Sequence, residues 1–186
     1  PTSIAIEIFE GSPWTHSCMV VRSKDIGLKS PIPSLLVWES NDLTNLSDVI
    51  FKDKKTGPML VDLKKRLETD MSQHVDASFA LRYLYTERTQ DMFNALHKLM
   101  ISIHSATFPT FLEMGVEAFR GRFLHKDVKR DNYFCSELIA QSFMNMGLMS
   151  TVNSANAYLP KDFSESNKLP MINRAYFGEE IKISIE

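Results

Sequence analysis

The most informative segment of the sequence is Asn132-Tyr133-Phe134-Cys135-Ser136-Glu137-Leu138. Apolar residues continue from it at helical spacing, which predicts a helix that begins near Asn132 or Tyr133 and ends at Gly147. Asp131 or Asn132 is the expected N-cap, and Gly147 suits a left-handed C-terminal position. Cys135 then falls in the first helical turn, where unpaired N–H groups and the helix dipole lower the pKa of a thiol.

Cys135 also has a simpler interpretation. It shares helical spacing with Leu138, Ile139, Phe143 and Met146, so its side chain is expected on the core side of the helix. Buried cysteines that only fill space are common in proteins. This segment alone leaves a reactive thiol and a packing residue both open.

The composition favours one globular domain over residues 1–186. Apolar residues make up 44% of the chain and charged residues 24%, and the net charge of −2 argues against a nucleic-acid partner. No segment approaches the roughly 20 continuous apolar residues of a transmembrane helix. The two cysteines, Cys18 and Cys135, form neither a disulfide framework nor a Cys-x-x-Cys metal pair. We therefore assign no metal and no cofactor, and expect a reducing compartment such as the cytoplasm.

Hydrophobic patterning predicts strands and helices that are largely segregated along the chain. Alternating or short apolar runs predict strands at residues 4–8, 17–21, 35–38, 59–61, 79–84 and 181–185. Apolar residues between Met92 and Ile103 lie on one helical stripe, and a further helix is expected from about Pro109 to Phe119. The pattern indicates an α+β fold, in which a sheet of sequential antiparallel strands packs against helices.

Strand geometry offers Cys135 a catalytic partner. His16 lies where the second predicted strand begins, and Glu39 lies where the third ends. If these strands pair as antiparallel neighbours, the start of one lies beside the end of the other, so His16 comes within a residue or two of Glu39. A base and a carboxylate that orients it would complete a nucleophile–base–orienter set. In the alternative interpretation, His16 caps a turn and Glu39 is a solvated strand end.

The remaining candidates are weaker. His104 either faces the site or ends its helix, whereas His74 and His125 lie in polar loops. Cys18 shares a strand face with His16, so it either lines the site or fills the core as a small residue. No two histidines have the spacing of a metal site.

Three segments, in this order, resemble the signature blocks of the circularly permuted papain-fold cysteine hydrolases, the YiiX-type branch of the NlpC-like superfamily. They are Trp14-Thr15-His16-Ser17-Cys18 within residues 11–21, Leu36-Val37-Trp38-Glu39-Ser40, and Tyr133-Phe134-Cys135-Ser136-Glu137-Leu138. Residues 57–63, 79–84 and 156–163 resemble the segments that connect these blocks. The resemblance therefore covers nearly the whole chain.

The resemblance implies a permuted papain-like (NlpC-like) fold with the nucleophile at a helix N-terminus. It assigns Cys135 as nucleophile, His16 as base and Glu39 as the acidic third residue. The implied activity is hydrolysis of amide or ester bonds through an acyl-enzyme, with a peptide, another amide or an acyl lipid as substrate. Two alternatives stay open: a lipid acyltransferase or phospholipase that uses the same triad, and a binding protein of this fold without turnover.

Overall fold

A computed structural model of the chain describes residues 13–73, 78–109 and 133–183. These residues form an α+β structure with antiparallel sheets, which confirms the predicted class. The strands are β1 (Met19–Arg22), β2 (Leu35–Asn41), β3 (Gly57–Asp62), β4 (Phe79–Tyr85) and β5 (Tyr176–Ile183). The α-helices are α1 (Leu63–Gln73), α2 (Gln90–Ser102) and α3 (Cys135–Asn145), and two short 3₁₀ helices follow at Ala155–Ala157 and Pro160–Phe163.

The first three strands form one antiparallel sheet in chain order, as the sequence predicts. In its register Met19 lies opposite Trp38, and Asn41 lies opposite Gly57. The beginning of β1, the end of β2 and the beginning of β3 therefore meet at one end of the sheet. This end carries the candidate site.

The fourth and fifth strands form a separate two-stranded ribbon. Leu81 pairs with Ile181 and Tyr85 with Tyr176, so each pair is separated by 90 residues of sequence or more. The expected strand at residues 79–84 and the described part of the one at residues 181–185 thus exist, but β4 pairs with β5 rather than extending the main sheet. β5 also begins five residues earlier than predicted, at Tyr176.

The helices depart from the predictions in two places. α3 begins at Cys135 with Phe134 as its N-cap and no side-chain cap, so a start at Asn132 or Tyr133, with Asp131 or Asn132 as N-cap, is wrong. Gly147 does end this segment with a left-handed φ of 71°, as expected. α1 has no counterpart among the predictions. α2 is confirmed, and the Thr89 hydroxyl caps it by accepting from the Met92 N–H.

Some predictions lie outside the described residues. They are the strand at residues 4–8, most of the helix from Pro109 to Phe119, and the two polar-loop histidines, His74 and His125. Among the described residues, no helix is both long and apolar enough to cross a bilayer.

β2 is covered on both faces, which explains why five consecutive residues of this strand are buried. On one face, Leu36 and Trp38 belong to the main core, which includes Leu138 and Phe143 of α3. On the other face, Val37 packs with residues of β3 under the start of α1. Because successive side chains of a strand point to opposite faces, Glu39 faces the α1 side.

Polar contacts tie α3 and the residues just before it to the rest of the fold. Trp38 donates from its indole N–H to the Ser142 hydroxyl at 3.0 Å. The Tyr133 N–H donates to the Thr107 carbonyl, and the Thr107 backbone in turn lies against Gly57. A Cβ atom at Gly57 would come within 2.5 Å of the Ala106 carbonyl oxygen, so only glycine allows this approach.

Candidate active site

Cys135 is the first residue of α3, and only 4% of it is exposed. Its sulfur accepts hydrogen bonds from the backbone N–H groups of Ser136 and Ser17. The first turn of a helix offers N–H groups without intrahelical partners, together with the positive end of the dipole. The sulfur of Cys135 is therefore buried and also placed where negative charge is stabilised.

His16 lies just before β1, and its ring stands between Glu39 and Cys135. Nε2 of His16 is 3.1 Å from Oε2 of Glu39. An ionised carboxylate only accepts hydrogen bonds, so Nε2 carries the proton that is donated to Glu39. Nδ1 is then the ring nitrogen that is left for the sulfur of Cys135. The predicted proximity of His16 to Glu39 is confirmed.

The environment lowers the pKa of Cys135. Burial acts most strongly and raises this pKa, but the charge of His16, the hydrogen bond with its ring and the two backbone N–H groups lower it further than burial raises it. A helix N-terminus and a neighbouring imidazolium are the usual causes of a low thiol pKa. We therefore expect Cys135 to be a thiolate at lower pH than an ordinary cysteine.

The pKa of His16 is shifted in the opposite direction, well above its ordinary value. Burial lowers this pKa, whereas the charge of Cys135, the hydrogen bonds with Cys135 and Glu39, and the charge of Glu39 all raise it. The side chain nevertheless keeps 36% of its surface exposed. Both shifts favour a thiolate–imidazolium pair, and the exposed part of the His16 ring leaves this pair open to solvent on one side.

Glu39 is buried, with 1% of its side chain exposed, so it is not a solvated strand end. Burial raises its pKa, but the hydrogen bond and charge of His16 and the charge of Arg66 bring the pKa below the ordinary value. Besides His16, the side chain of Asn41 donates to Oε2 of Glu39 at 3.4 Å. The carboxylate is thus ionised, and its Oε2 is held by His16 and Asn41.

Arg66 is the part of this arrangement that the sequence did not indicate. It lies in α1, is almost fully buried, and donates from Nε to Oε1 of Glu39 at 2.6 Å. Its helix carries Leu63, Leu67 and Met71 at i, i+4 and i+8, a stripe that would have indicated a helix. No local signal distinguishes Arg66 from the neighbouring Lys64 and Lys65.

Two other residues were candidates for the site, namely His104 and Cys18. Nε2 of His104 is 3.1 Å from Oδ2 of Asp53, and its ring stacks on Phe51, so His104 belongs to a loop contact of its own. Cys18 is exposed, and the interpretation as a small core residue is wrong. Although part of this residue is exposed, the protein atoms packed around its sulfur and the charges of Glu39 and Cys135 raise its pKa to about 11.

The described residues contain no group of three or more His, Cys, Asp or Glu side chains that could hold a metal ion. Comparison of the chain with protein family models, curated proteins and solved structures found no match. The assignment to the permuted papain-fold hydrolases therefore stays a prediction, which depends on the three sequence blocks.

Proposed function

We propose that this protein is a cysteine-dependent hydrolase of amide or ester bonds with a permuted papain-like fold. The observation that carries the proposal is the position of His16, whose imidazole contacts Glu39 through Nε2 and interacts with the sulfur of Cys135. Nucleophile, base and orienting carboxylate in contact with one another are the recurring set of nucleophilic acyl transfer.

In the proposed reaction, the Cys135 thiolate forms a bond to the carbonyl carbon of the substrate. The carbonyl oxygen becomes an oxyanion, for which the backbone N–H of Cys135 at the start of α3 is the expected donor. When the C–N or C–O bond breaks, the imidazolium of His16 gives its proton to the leaving amine or alcohol.

The second half of the reaction releases the acyl group. Neutral His16 takes a proton from water, and the oxygen of this water adds to the acyl carbon. The S–C bond then breaks, the product leaves as an acid, and the thiolate–imidazolium pair is restored. Glu39 stays ionised throughout and stabilises the imidazolium in the first state and in the last.

The order of the three residues along the chain supports the family assignment within this proposal. His16 and Glu39 precede Cys135, whereas the cysteine comes first in ordinary papain-like enzymes. A set of this kind is recognised by geometry rather than by order, and permutation of one closed fold would produce the reversal. An antiparallel sheet beside a helix that begins at the cysteine agrees with this interpretation.

The test is covalent trapping on Cys135. We would incubate the protein with activated esters, peptide amides and phospholipids and measure the intact mass, using Cys18→Ala and Cys135→Ala as a matched pair. We expect an acyl adduct in wild type and Cys18→Ala that decays with release of acid, and none in Cys135→Ala. An adduct that persists in Cys135→Ala would overturn the proposal. Transfer of the trapped acyl group to an added amine or lipid, with no release of acid, would replace hydrolysis by acyl transfer.

A further inference from the structure

We propose that Arg66 is a positioning residue of this site, which fixes the Glu39 carboxylate so that its Oε2 faces His16. This inference rests on the proposed function only in taking the site to be catalytic. The contacts between Arg66, Glu39 and His16 are independent of any substrate.

Two nitrogens of the Arg66 guanidinium bind the same oxygen of Glu39. Nε and a terminal nitrogen each lie 2.6 Å from Oε1. The other terminal nitrogen donates to Oδ1 of Asn45 at 3.1 Å and lies 3.5 Å from Oδ1 of Asp70. Since Asn45 and Asp70 hold the far side of the fork, the guanidinium has little freedom to turn away. Oε2 is then the Glu39 oxygen that is presented to His16.

Burial makes this contact necessary for the charge of Glu39. The side chains of Glu39 and Arg66 are 1% and 4% exposed. A carboxylate removed from water in this way becomes neutral unless a cation or hydrogen-bond donors compensate it. The titratable groups that interact with Glu39 are Arg66 and Asp70 of α1 and His16 and Cys18 next to β1, whereas Cys135 of α3 interacts with His16. Arg66 is the permanent cation among them.

The charge of Glu39 affects both the lower and the upper limit of the pH range in which Cys135 is a thiolate and His16 is an imidazolium. Without Arg66, burial would let Glu39 take up a proton at higher pH, and a neutral carboxyl stabilises the His16 imidazolium less well. The pKa of His16 would then fall, and the pKa of Cys135 would rise because the charge of His16 is one of the causes that lower it. The thiolate–imidazolium pair would therefore exist over a narrower pH range, cut from both sides.

The experiment measures the rate of Cys135 alkylation by iodoacetamide against pH, in a Cys18→Ala background. The variants are Arg66→Met, Arg66→Lys, Glu39→Gln and the double variant Glu39→Gln/Arg66→Met. Lys65→Met is the matched control, because it removes an exposed cation from the adjacent position of the same helix. The imidazole nitrogens of His16 are followed in parallel by NMR titration, which reports its pKa directly.

We expect Arg66→Met to raise the pH at which Cys135 becomes reactive, with a loss of about tenfold in rate at acidic pH for each unit of that shift. Glu39→Gln is expected to shift the profile in the same way, and Arg66→Lys by less, because lysine keeps the charge but not the fork. Since Arg66 acts through Glu39, Arg66→Met should add nothing in the Glu39→Gln background.

Three results would overturn the inference: an unchanged pH profile in Arg66→Met, an equal shift in Lys65→Met, or an effect of Arg66→Met that is undiminished in Glu39→Gln. If Arg66→Met fails to fold, Arg66→Lys and the double variant decide by the same criteria, because neither leaves a buried carboxylate without a cation. Alkylation and NMR need no turnover. Failure to find a substrate would therefore count against the proposed hydrolase activity and not against the role of Arg66. In an active enzyme, a pH profile of Cys135 alkylation that does not depend on Arg66 would count against the role of Arg66 and not against the activity.

Discussion

The hydroxyl of Ser40 donates to the carbonyl of Tyr133 at 2.5 Å. Ser40 follows Glu39 in β2, and Tyr133 precedes Cys135 by two residues. This one hydrogen bond therefore joins the strand that carries the carboxylate to the segment that delivers the nucleophile, across 93 residues of sequence. It is one of the contacts that hold the two halves of the candidate site together.

Removal of this hydroxyl should loosen the site as well as the fold. Ser40 is fully buried, so Ser40→Ala leaves the Tyr133 carbonyl without this donor, and we expect a loss of about 1–3 kcal/mol in the free energy of unfolding. Urea unfolding measures the loss, and alkylation of Cys135 should slow at acidic pH. Ser102→Ala is the control, because the exposed Ser102 hydroxyl donates to Leu99 within α2. An equal effect of both substitutions would show that the contact is not special.

The two cysteines should react in the reverse order of their exposure. Cys135 is buried but has a lowered pKa, whereas Cys18 is exposed and has a pKa of about 11. Because the thiolate is the reacting species, iodoacetamide should modify Cys135 first at neutral and acidic pH. Peptide mapping by mass spectrometry measures the order. Faster modification of Cys18 at neutral pH would mean that access and not ionisation controls the reactivity of these thiols.

His16→Ala should return Cys135 to an ordinary thiol. With the imidazolium removed, burial is the dominant influence, so the reactivity of Cys135 should move to or above the ordinary pKa of about 8.5. Hydrolysis of a substrate should fall by about 10²–10⁴-fold, as expected for loss of a general acid–base. His104→Ala is a close control, because His104 also lies 3.1 Å from a carboxylate. Both rates should be unchanged in this control.

Glu39 should couple stability to pH. Its pKa in the folded protein is below the ordinary value, so its contribution to stability is present above the unfolded-state pKa and is lost as the pH falls through the folded-state pKa. At neutral pH, Glu39→Gln removes the nearer carboxylate of the buried Arg66 and leaves only Asp70, whose Oδ1 is 3.5 Å from the guanidinium. We expect a loss of up to about 3–5 kcal/mol in the free energy of unfolding.

Urea unfolding at several pH values checks this prediction. The difference between wild type and Glu39→Gln should shrink at low pH, because wild-type Glu39 then becomes neutral as well. Glu68→Gln removes an exposed carboxylate that lies 3.7 Å from Lys64 and should cost no more than about 1 kcal/mol at any pH. A pH-independent difference for Glu39→Gln would contradict the role assigned to its charge.

Local sequence patterns were sufficient for the contact between His16 and Glu39. Two neighbouring strands joined by one loop can pair in few ways, and the side-chain alternation then fixes which residues meet. The helix that begins at Cys135 was also predictable, because its apolar stripe continues over three turns. Its exact start was not, since the N-cap is Phe134, whose side chain makes no capping hydrogen bond and gives no signal in the sequence.

Arg66 could not be found in the same way. In the sequence it follows Lys64 and Lys65, and a run of three cations is usually a solvated surface. Only the packing of α1 against β2 buries Arg66 and leaves its two neighbours exposed. The pairing of β4 with β5 could not be predicted either, because the two strands are far apart in the sequence and no local pattern indicates that they pair.

The burial of β2 on both faces limits where residues can be inserted into this protein or deleted from it. Trp38 faces α3, where its indole donates a hydrogen bond to Ser142, and Glu39 faces α1, where its carboxylate pairs with Arg66. Neither side chain could replace the other in its contact. One residue inserted upstream in β2 would exchange these faces, so that a carboxylate would meet the apolar core and an indole would meet Arg66. Insertions in homologues should therefore fall in the loops on either side of β2, and never within it.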